Sequence, residues 1–266
     1  MTERMTESVR WAAGVEYLGT DFGGWQRQAH QPHTATIQGN IEHALSAVAN
    51  QPVQVQCAGR TDAGVHAFCQ VVHFDVPVQR DAKAWVLGGN THLPKTIRML
   101  WAKPVPVDFH ARFSAQGRRY QYRLLHSPVP SAIWHQHATH YPYELDCHAM
   151  HQAAQALVGE YDFSSFRAVG CQSHSPMREL FEVSVVEAEQ WVHINVHGNA
   201  FLYHMVRNIV GSLLAVGRGE QPIEWMAALL AQRDRTQAAP TAPAHGLYFV
   251  EVDYPDQYDL PTSVHA

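Results

Sequence analysis

The order of strand and helix patterns limits this chain of 266 residues to a mixed fold. Apolar residues that alternate with polar ones predict short strands, and apolar residues three or four positions apart predict helices. Predicted strands and helices occur in two similar groups along the chain. They do not show the strict alternation of strand and helix that builds a parallel doubly wound sheet. This order favours an α+β fold with largely antiparallel sheets. The first group ends near Phe109, which predicts two α+β subdomains, residues 1–109 and 110–266.

The individual segments follow from the same periodicities. Strands are predicted at 10–17, 53–57, 70–76, 97–102, 120–124, 181–188, 191–197 and 247–252. Helices are predicted at 36–49, 82–89, 149–158 and 202–216. Glu189 and Gln190 are the predicted turn of a hairpin between the strands at 181–188 and 191–197.

The predicted helix at 202–216 is apolar around most of its circumference, which indicates a buried helix. One stripe along it stays polar or small: His204, Arg207, Asn208 and Gly211. A buried guanidinium requires a carboxylate or a phosphate, because an unpaired buried charge costs several kcal/mol. The carboxylate of Asp62 is the candidate partner for Arg207. The alternative is that Arg207 reaches a surface acid or an RNA phosphate.

Asp62 is a candidate functional residue because of the loop that contains it, Gly59-Arg60-Thr61-Asp62-Ala63-Gly64-Val65-His66-Ala67. Its two glycines permit a positive φ or the close approach of another backbone, so the loop can be held against a ligand. Asp62 projects from between them, two residues after Arg60. Asp and Gly are also ordinary turn residues, so Asp62 could simply accept hydrogen bonds from neighbouring amides.

Charge is unevenly distributed along the chain. The overall formal charge is −5, which argues weakly against general nucleic-acid binding. Residues 95–123, however, carry seven basic side chains and one acid, Asp108. Arginine dominates the basic residues, and its planar fork suits phosphate oxygens. The basic segment therefore indicates either a phosphate-binding surface or a solvated strand face.

The spacing of the cysteine and histidine residues predicts neither a metal site nor a disulfide framework. The four cysteines, Cys57, Cys69, Cys147 and Cys171, are scattered and form no CxxC pair. The N-terminal residues 1–7 mix both charges and lack the apolar run of a signal peptide, so a cytoplasmic protein is expected. Histidine and cysteine residues cluster in the second half of the chain: His135, His137, His140, Cys147, His148 and His151. Their spacing fits no tetrahedral set of metal ligands. A metal-dependent hydrolase built on this cluster stays an alternative.

Several blocks of sequence resemble the TruA family of tRNA pseudouridine synthases. The clearest is Gly59-Arg60-Thr61-Asp62-Ala63-Gly64-Val65-His66, and the others occur in the family's order. They are Gly24-Trp25-Gln26-Arg27-Gln28, Phe109-His110-Ala111-Arg112-Phe113, Arg119-Tyr120-Gln121-Tyr122, Asp162-Phe163-Ser164-Ser165-Phe166, Met205-Val206-Arg207-Asn208-Ile209-Val210-Gly211 and Gly246-Leu247-Tyr248.

The resemblance implies a fold and a reaction. The fold is that of the pseudouridine synthases, with two α+β subdomains joined across a central cleft; the first carries the Asp62 loop and the second carries Tyr120 and Arg207. The reaction converts uridine to pseudouridine at positions 38, 39 and 40 of the tRNA anticodon arm, in a homodimer. No metal or other cofactor is expected, because no step needs one.

The resemblance also implies roles for single residues. Asp62 acts on the ribose, either as a nucleophile at C1′ or as a base at C2′. Tyr120 stacks on the uracil, Arg60 occupies the space of the extruded base, and Arg207 pairs with Asp62. The candidate phosphate contacts are basic residues of the 95–123 segment: Lys95, Lys103, Arg118, Arg119 and Arg123. A catalytically silent RNA-binding protein on the same fold is the alternative.

Overall fold

The computed structural model describes residues 8–28, 34–78 and 80–261. Residues 1–7, interpreted above as lacking a signal peptide, lie outside the described residues. The chain divides into two compact units: residues 1–116 together with 249–266, and residues 117–248. Asp62 belongs to the first unit, and Tyr120 and Arg207 belong to the second. The subdomain boundary after residue 109 stays a prediction.

In chain order the strands are β1 (Val9–Tyr17), β2 (Gln56–Cys57), β3 (His66–Val76), β4 (Ile97–Pro104), β5 (Gly117–His126), β6 (Thr139–Tyr141), β7 (Gly159–Asp162), β8 (Met177–Ala188), β9 (Trp191–Gly198) and β10 (Leu247–Asp253). The α-helices are α1 (Ile37–Ala49), α2 (Gly89–His92), α3 (Cys147–Ala154), α4 (Met205–Gly217) and α5 (Trp225–Gln232). Across the described ranges, no helix combines the length and apolar character needed to cross a membrane.

The sheet of the first unit has the order β4-β1-β3-β10, and β2 pairs with β3. β1 is antiparallel to both β3 and β4, and β2 is antiparallel to β3. β1 is central in this order and is buried along most of its length. Helix α1 begins after Thr36, whose hydroxyl accepts a hydrogen bond from the backbone N–H of Gly39. Such a cap satisfies one of the free N–H groups at the start of a helix.

The sheet of the second unit has the order β5-β9-β8-β7, with β6 beside β5. Neighbouring strands are antiparallel except for β5 and β6, which are parallel. Helix α4 is buried over nearly its whole length. The predicted α+β class with largely antiparallel sheets is confirmed in both units.

Most predicted segments are present, and the differences have local causes. The helix predicted at 202–216 begins only at Met205, because His204 has a left-handed φ of +58° that a helix cannot include. The segment predicted as a helix at 82–89 is a π-helical turn, Ala84–Gly88, followed by α2. The strand predicted at 53–57 has ladder pairing only at Gln56 and Cys57.

Three elements were not predicted: β6, β7 and α5. The two strands have three and four residues, too short to establish a periodicity. Helix α5 has no single apolar face, since Trp225 to Gln232 is apolar at nearly every position. Such a run is ambiguous between a strand and a helix.

Candidate active site

The loop that contains Asp62 leaves β2 and enters β3, and the side chain of Gln70 holds its start. Gln70 is fully buried, accepts a hydrogen bond from the N–H of Gly59 at 3.3 Å and donates one to the carbonyl of the same residue. The N–H of Ala58 donates to the carbonyl of Val71 at 2.8 Å. The backbone is therefore fixed directly before Arg60, which is exposed.

The residue before Asp62 is held from two sides. Thr61 is buried, and its hydroxyl lies 2.8 Å from the hydroxyl of Tyr17. Its carbonyl accepts a hydrogen bond of 3.0 Å from the N–H of Trp25, which is itself buried. Since both the side chain and the backbone of Thr61 are held, the Cα–Cβ direction of Asp62 is set by its neighbours.

The loop closes after Asp62 through close backbone contact with Gly19. A Cβ atom on Gly19 would lie 1.9 Å from the carbonyl oxygen of Val65, so only glycine fits there. The N–H of Gly64 donates to the carbonyl of Gly19 at 3.2 Å, and Gly64 has a φ of +82°. The N–H of Gly19 in turn donates to Nδ1 of the buried His66 at 3.0 Å. Asp62 is thus a half-buried carboxylate on a loop fixed at both ends.

Tyr120 lies on β5, with its ring mostly buried. The exposed fraction of the residue is 9%, and its ring meets the ring of Phe201 edge-on, with centroids 4.9 Å apart. Tyr122 shares its face of the strand, two positions along. The hydroxyl of Tyr122 donates to the carbonyl of Pro243 at 2.8 Å and lies 2.6 Å from the hydroxyl of Thr139.

Arg207 contacts the same loop as Tyr122. Its Nε donates to the carbonyl of Ala242 at 2.8 Å, and the N–H of Ala242 donates to the carbonyl of Arg207 at 3.1 Å. Nearby, burial lowers the pKa of His245, and the charges of His135 and Arg207 lower it further. The second unit therefore brings Arg207 together with the face of β5 that carries Tyr120 and Tyr122.

The polar stripe of α4 explains how Arg207 is placed. Asn208 is fully buried; its amide donates to the carbonyl of Phe166 at 2.8 Å, and its side-chain oxygen accepts from the hydroxyl of Thr241 at 2.6 Å. A Cβ atom on Gly211 would lie 2.0 Å from the carbonyl oxygen of Pro240. The stripe thus packs against the 240–242 backbone, and the same backbone accepts the hydrogen bond of Arg207.

The predicted phosphate contacts fall in different surroundings. Arg118 is only 8% exposed and donates to the carbonyl of Asn199 at 2.7 Å. Lys103 forms an ion pair of 2.6 Å with Asp259. Lys95 is exposed. Of these three side chains, Lys95 is the most exposed, Lys103 is half-buried and Arg118 is buried.

Arg119 and Arg123 alternate with Tyr120 and Tyr122 along β5, and they are half-buried on the opposite face. The guanidinium of Arg123 lies 4.5 Å from the centroid of the Tyr248 ring, and its Nε donates to the side-chain oxygen of Gln121 at 2.7 Å. Burial lowers the pKa of Arg123, and Tyr248 opposes that effect. These two arginines lie on another face of the sheet from Tyr120.

Two histidines of the His-rich segment form hydrogen bonds with the backbone of distant residues. Nε2 of His140 lies 2.8 Å from the carbonyl oxygen of Ser127, and Nδ1 of His151 accepts from the N–H of Val185 at 3.3 Å. Across residues 8–28, 34–78 and 80–261, no group of three or more His, Cys, Asp or Glu side chains is arranged to hold a metal ion. Cys57, Cys69, Cys147 and Cys171 are free thiols.

Several supporting residues were not identified from the sequence. Tyr17 and Gln70 were assigned only to strands, yet they hold the Asp62 loop. No role was predicted for Ala242 from the sequence, yet its carbonyl accepts a hydrogen bond from Nε of Arg207. One sequence feature could have identified Gln70. It is a long polar side chain at the start of an apolar strand, and a buried amide needs hydrogen-bond partners.

Comparison with known proteins assigns the family. The family model described as tRNA pseudouridine synthase matches residues 13–114 and 153–255. This chain belongs to the tRNA pseudouridine synthase family. The relatives named tRNA pseudouridine synthase A include those of Shewanella amazonensis and Vibrio vulnificus, each 54% identical over 95% of this chain, and covering 96% and 95% of the relative. That of Stenotrophomonas maltophilia is 54% identical over 96% of this chain and 99% of the relative.

The match includes the motifs that the sequence analysis identified, except Arg119-Tyr120-Gln121-Tyr122. The first matched range of the tRNA pseudouridine synthase family contains the Asp62 loop and the Phe109–Phe113 block, and the second contains Arg207. Tyr120 lies between the two matched ranges. Asp62 and Arg207 belong to different compact units, so their pairing stays a prediction.

Proposed function

We propose that this protein isomerises uridine to pseudouridine in tRNA. The observation that carries the proposal is the match to the tRNA pseudouridine synthase family over residues 13–114 and 153–255. The reaction conserves atoms: the N1–C1′ bond breaks, a C5–C1′ bond forms, C5 loses its proton and N1 gains one. No redox change or activated cofactor is required.

Asp62 is proposed to act on the ribose. Its carboxylate either attacks C1′ as a nucleophile or removes the proton at C2′ as a base. Both routes require an ionised carboxylate held in one place beside a centre that develops positive charge. The anchoring of Gly59, Thr61 and Gly64 supports this role, because it fixes the loop on both sides of Asp62.

Three further residues complete the proposed site. The guanidinium of Arg207 pairs with the carboxylate of Asp62 and keeps it ionised and oriented. The ring of Tyr120 stacks on the uracil and assists loss of the C5 proton. Arg60, which is exposed, occupies the space that the base leaves when it is extruded from the stack.

The basic segment is proposed to contact tRNA phosphates through Lys95, Lys103, Arg118, Arg119 and Arg123. Contacts of this kind supply affinity and salt dependence but do not read the base. Changing Arg119 and Arg123 to Glu is expected to weaken tRNA binding and to flatten its dependence on salt. An unchanged dissociation constant at every salt concentration would remove both residues from the interface.

We also propose which uridines of the tRNA are modified and how the protein assembles. The substrate is the anticodon arm, the modified uridines are at positions 38, 39 and 40, and the protein acts as a homodimer in the cytoplasm, with each arm held in a central cleft. Mapping pseudouridine in tRNA from cells that lack this protein tests the function and the positions together. Loss at those three positions, restored by the wild-type gene, is expected. Retention of all three would contradict the proposal.

A further inference from the structure

Phe113 forms an exposed aromatic stack just before β5. Its exposed fraction is 75%, and its ring lies over the ring of His110 with centroids 4.3 Å apart and planes at 36°. The guanidinium of Arg112 lies 5.5 Å from the centroid of the Phe113 ring. Proteins that bind single-stranded nucleic acids stack bases on exposed aromatic side chains, with a cation–π contribution from Arg.

Hydrogen bonds hold the turn that carries the stack. Nδ1 of His110 accepts hydrogen bonds from the N–H groups of Arg112 at 3.1 Å and Phe113 at 3.2 Å. The N–H of His110 donates to the hydroxyl of Ser114 at 2.9 Å. The hydroxyl of Tyr254 donates to the carbonyl of Ala111 at 2.6 Å. A ring held in this way loses little conformational entropy when it binds a planar partner.

The turn is attached to the hairpin that carries Asp62. The N–H of Ala111 donates to Nδ1 of His73 at 3.1 Å, and the rings of His73 and His110 lie 4.5 Å apart. His73 on β3 pairs with Gln56, the residue before Cys57. The Asp62 loop begins directly after Cys57. The stack is therefore attached to β3, one of the two strands between which the Asp62 loop runs.

An arginine of the Asp62 loop and an arginine of the Phe113 turn act on the same thiol. Burial raises the pKa of the Cys57 thiol to about 12, and the charges of Arg60 and Arg112 both oppose that effect. Both guanidinium groups thus lie within electrostatic range of one thiol.

We propose that Phe113 is a stacking platform for an unpaired nucleobase of the RNA substrate, with Arg112 beside the adjacent phosphate. The inference rests on the proposed function, because it takes RNA as the substrate. Stacking on an aromatic ring is tolerant of sequence, since every base presents a π face. The platform therefore adds affinity and positions the strand near Asp62 without selecting a base.

The test measures tRNA binding in an Asp62→Asn background, so that turnover does not change the ligand. Phe113→Leu keeps an apolar side chain but removes the ring, and it is expected to weaken binding by about 10-fold. Phe113→Tyr keeps the ring and is expected to bind like the parent. Phe181→Leu is the matched control, because Phe181 is also exposed and also packs on a histidine ring, that of His197.

An abasic scan of the anticodon arm sharpens the result. One loop position is expected at which removal of the base weakens binding to the parent but has no further effect in Phe113→Leu. Equal dissociation constants for the parent and Phe113→Leu, or equal losses for Phe113→Leu and Phe181→Leu, would overturn the inference. A change of oligomeric state in Phe113→Leu with unchanged tRNA binding would also overturn it, because the face would then contact a second copy. If the parent protein does not bind tRNA, the proposed function itself fails.

Discussion

The hydroxyls of Tyr17 and Thr61 lie 2.8 Å apart in the interior of the first unit, one residue from Asp62. Burial raises the pKa of Tyr17, while hydrogen bonds from Thr61 and Gln70 act in the opposite direction. The phenol stays neutral, and its contact with Thr61 is a neutral hydrogen bond. This contact joins the central strand β1 to the loop of the proposed catalytic carboxylate.

Tyr17→Phe should therefore lower both stability and turnover. It leaves the buried hydroxyl of Thr61 without this partner, at a cost of about 1–3 kcal/mol in the free energy of unfolding. A small shift of Asp62 should lower turnover by about 10-fold to 100-fold. Urea unfolding and single-turnover kinetics measure the two effects. Adding Thr61→Val should recover part of the stability, because it removes the hydroxyl that Tyr17→Phe leaves unsatisfied; a further large loss would contradict this explanation.

Gly211→Ala should disturb the loop that accepts the hydrogen bond of Arg207. The added Cβ would lie 2.0 Å from the carbonyl oxygen of Pro240, so the 240–242 backbone must move. Overpacking of this kind costs about 1–3 kcal/mol, and displacement of Ala242 should lower turnover as well. Ser212→Ala on the same helix is the control, since it removes only a local hydrogen bond to the carbonyl of Asn208. Thermal unfolding that is equal in the two variants would argue against the close contact at Gly211.

Stability should fall with pH between about 6.5 and 4. Burial and, to a smaller extent, the charges of His110 and Arg10 lower the pKa of His73 to about 4, while the charge of Asp75 opposes them. The unfolded chain therefore binds a proton at His73 that the folded chain excludes, and stability decreases as pH falls through this window. Asp75 acts in the same direction, because its hydrogen bond to Arg10 lowers its pKa.

His73→Asn separates these contributions. Its side-chain oxygen is expected to replace Nδ1 as acceptor for the N–H of Ala111, but it does not titrate. Urea unfolding at pH 7 and pH 4.5 should therefore show a smaller loss in the variant than in the wild type. An equal loss in both proteins would assign the acid sensitivity to other groups.

Arg207→Ala should lower turnover much more than tRNA affinity. If Arg207 orients Asp62, its removal should lower kcat by roughly 100-fold or more while the dissociation constant for tRNA stays within about 3-fold. Arg218→Ala is the control, because Arg218 directly follows α4 and pairs with Glu220 at the surface. Equal losses of kcat and affinity in Arg207→Ala would instead support a phosphate contact.

The sequence predicted the parts of the fold that depend on periodicity. Helix α1, strand β5 and the hairpin of β8 and β9 were found because their apolar residues repeat over many positions. Strands β6 and β7 were missed because pairing with a neighbour, not their own composition, makes them strands. The late start of α4 depends on the left-handed backbone of His204, for which the sequence gives little warning.

For the candidate site, the sequence identified single residues but not the contacts that hold them. Asp62, Arg60 and Arg207 were selected from residue types and from the resemblance to a family, without knowledge of their surroundings. The contacts that hold them come from distant parts of the chain: Tyr17 reaches Thr61, and Ala242 reaches Arg207. Such contacts depend on tertiary packing, which a local pattern does not contain.

The carboxylate of Asp62 is proposed to carry out the isomerisation. The direct measurement is tritium release from tRNA labelled at C5 of uridine, compared between the wild type and Asp62→Ala, with folding of the variant checked by circular dichroism. The wild type should release tritium as C5 bonds to C1′, and Asp62→Ala should release none above background. Release by the variant at the wild-type rate would contradict the catalytic role of Asp62, and no release by the wild type would contradict the proposed reaction.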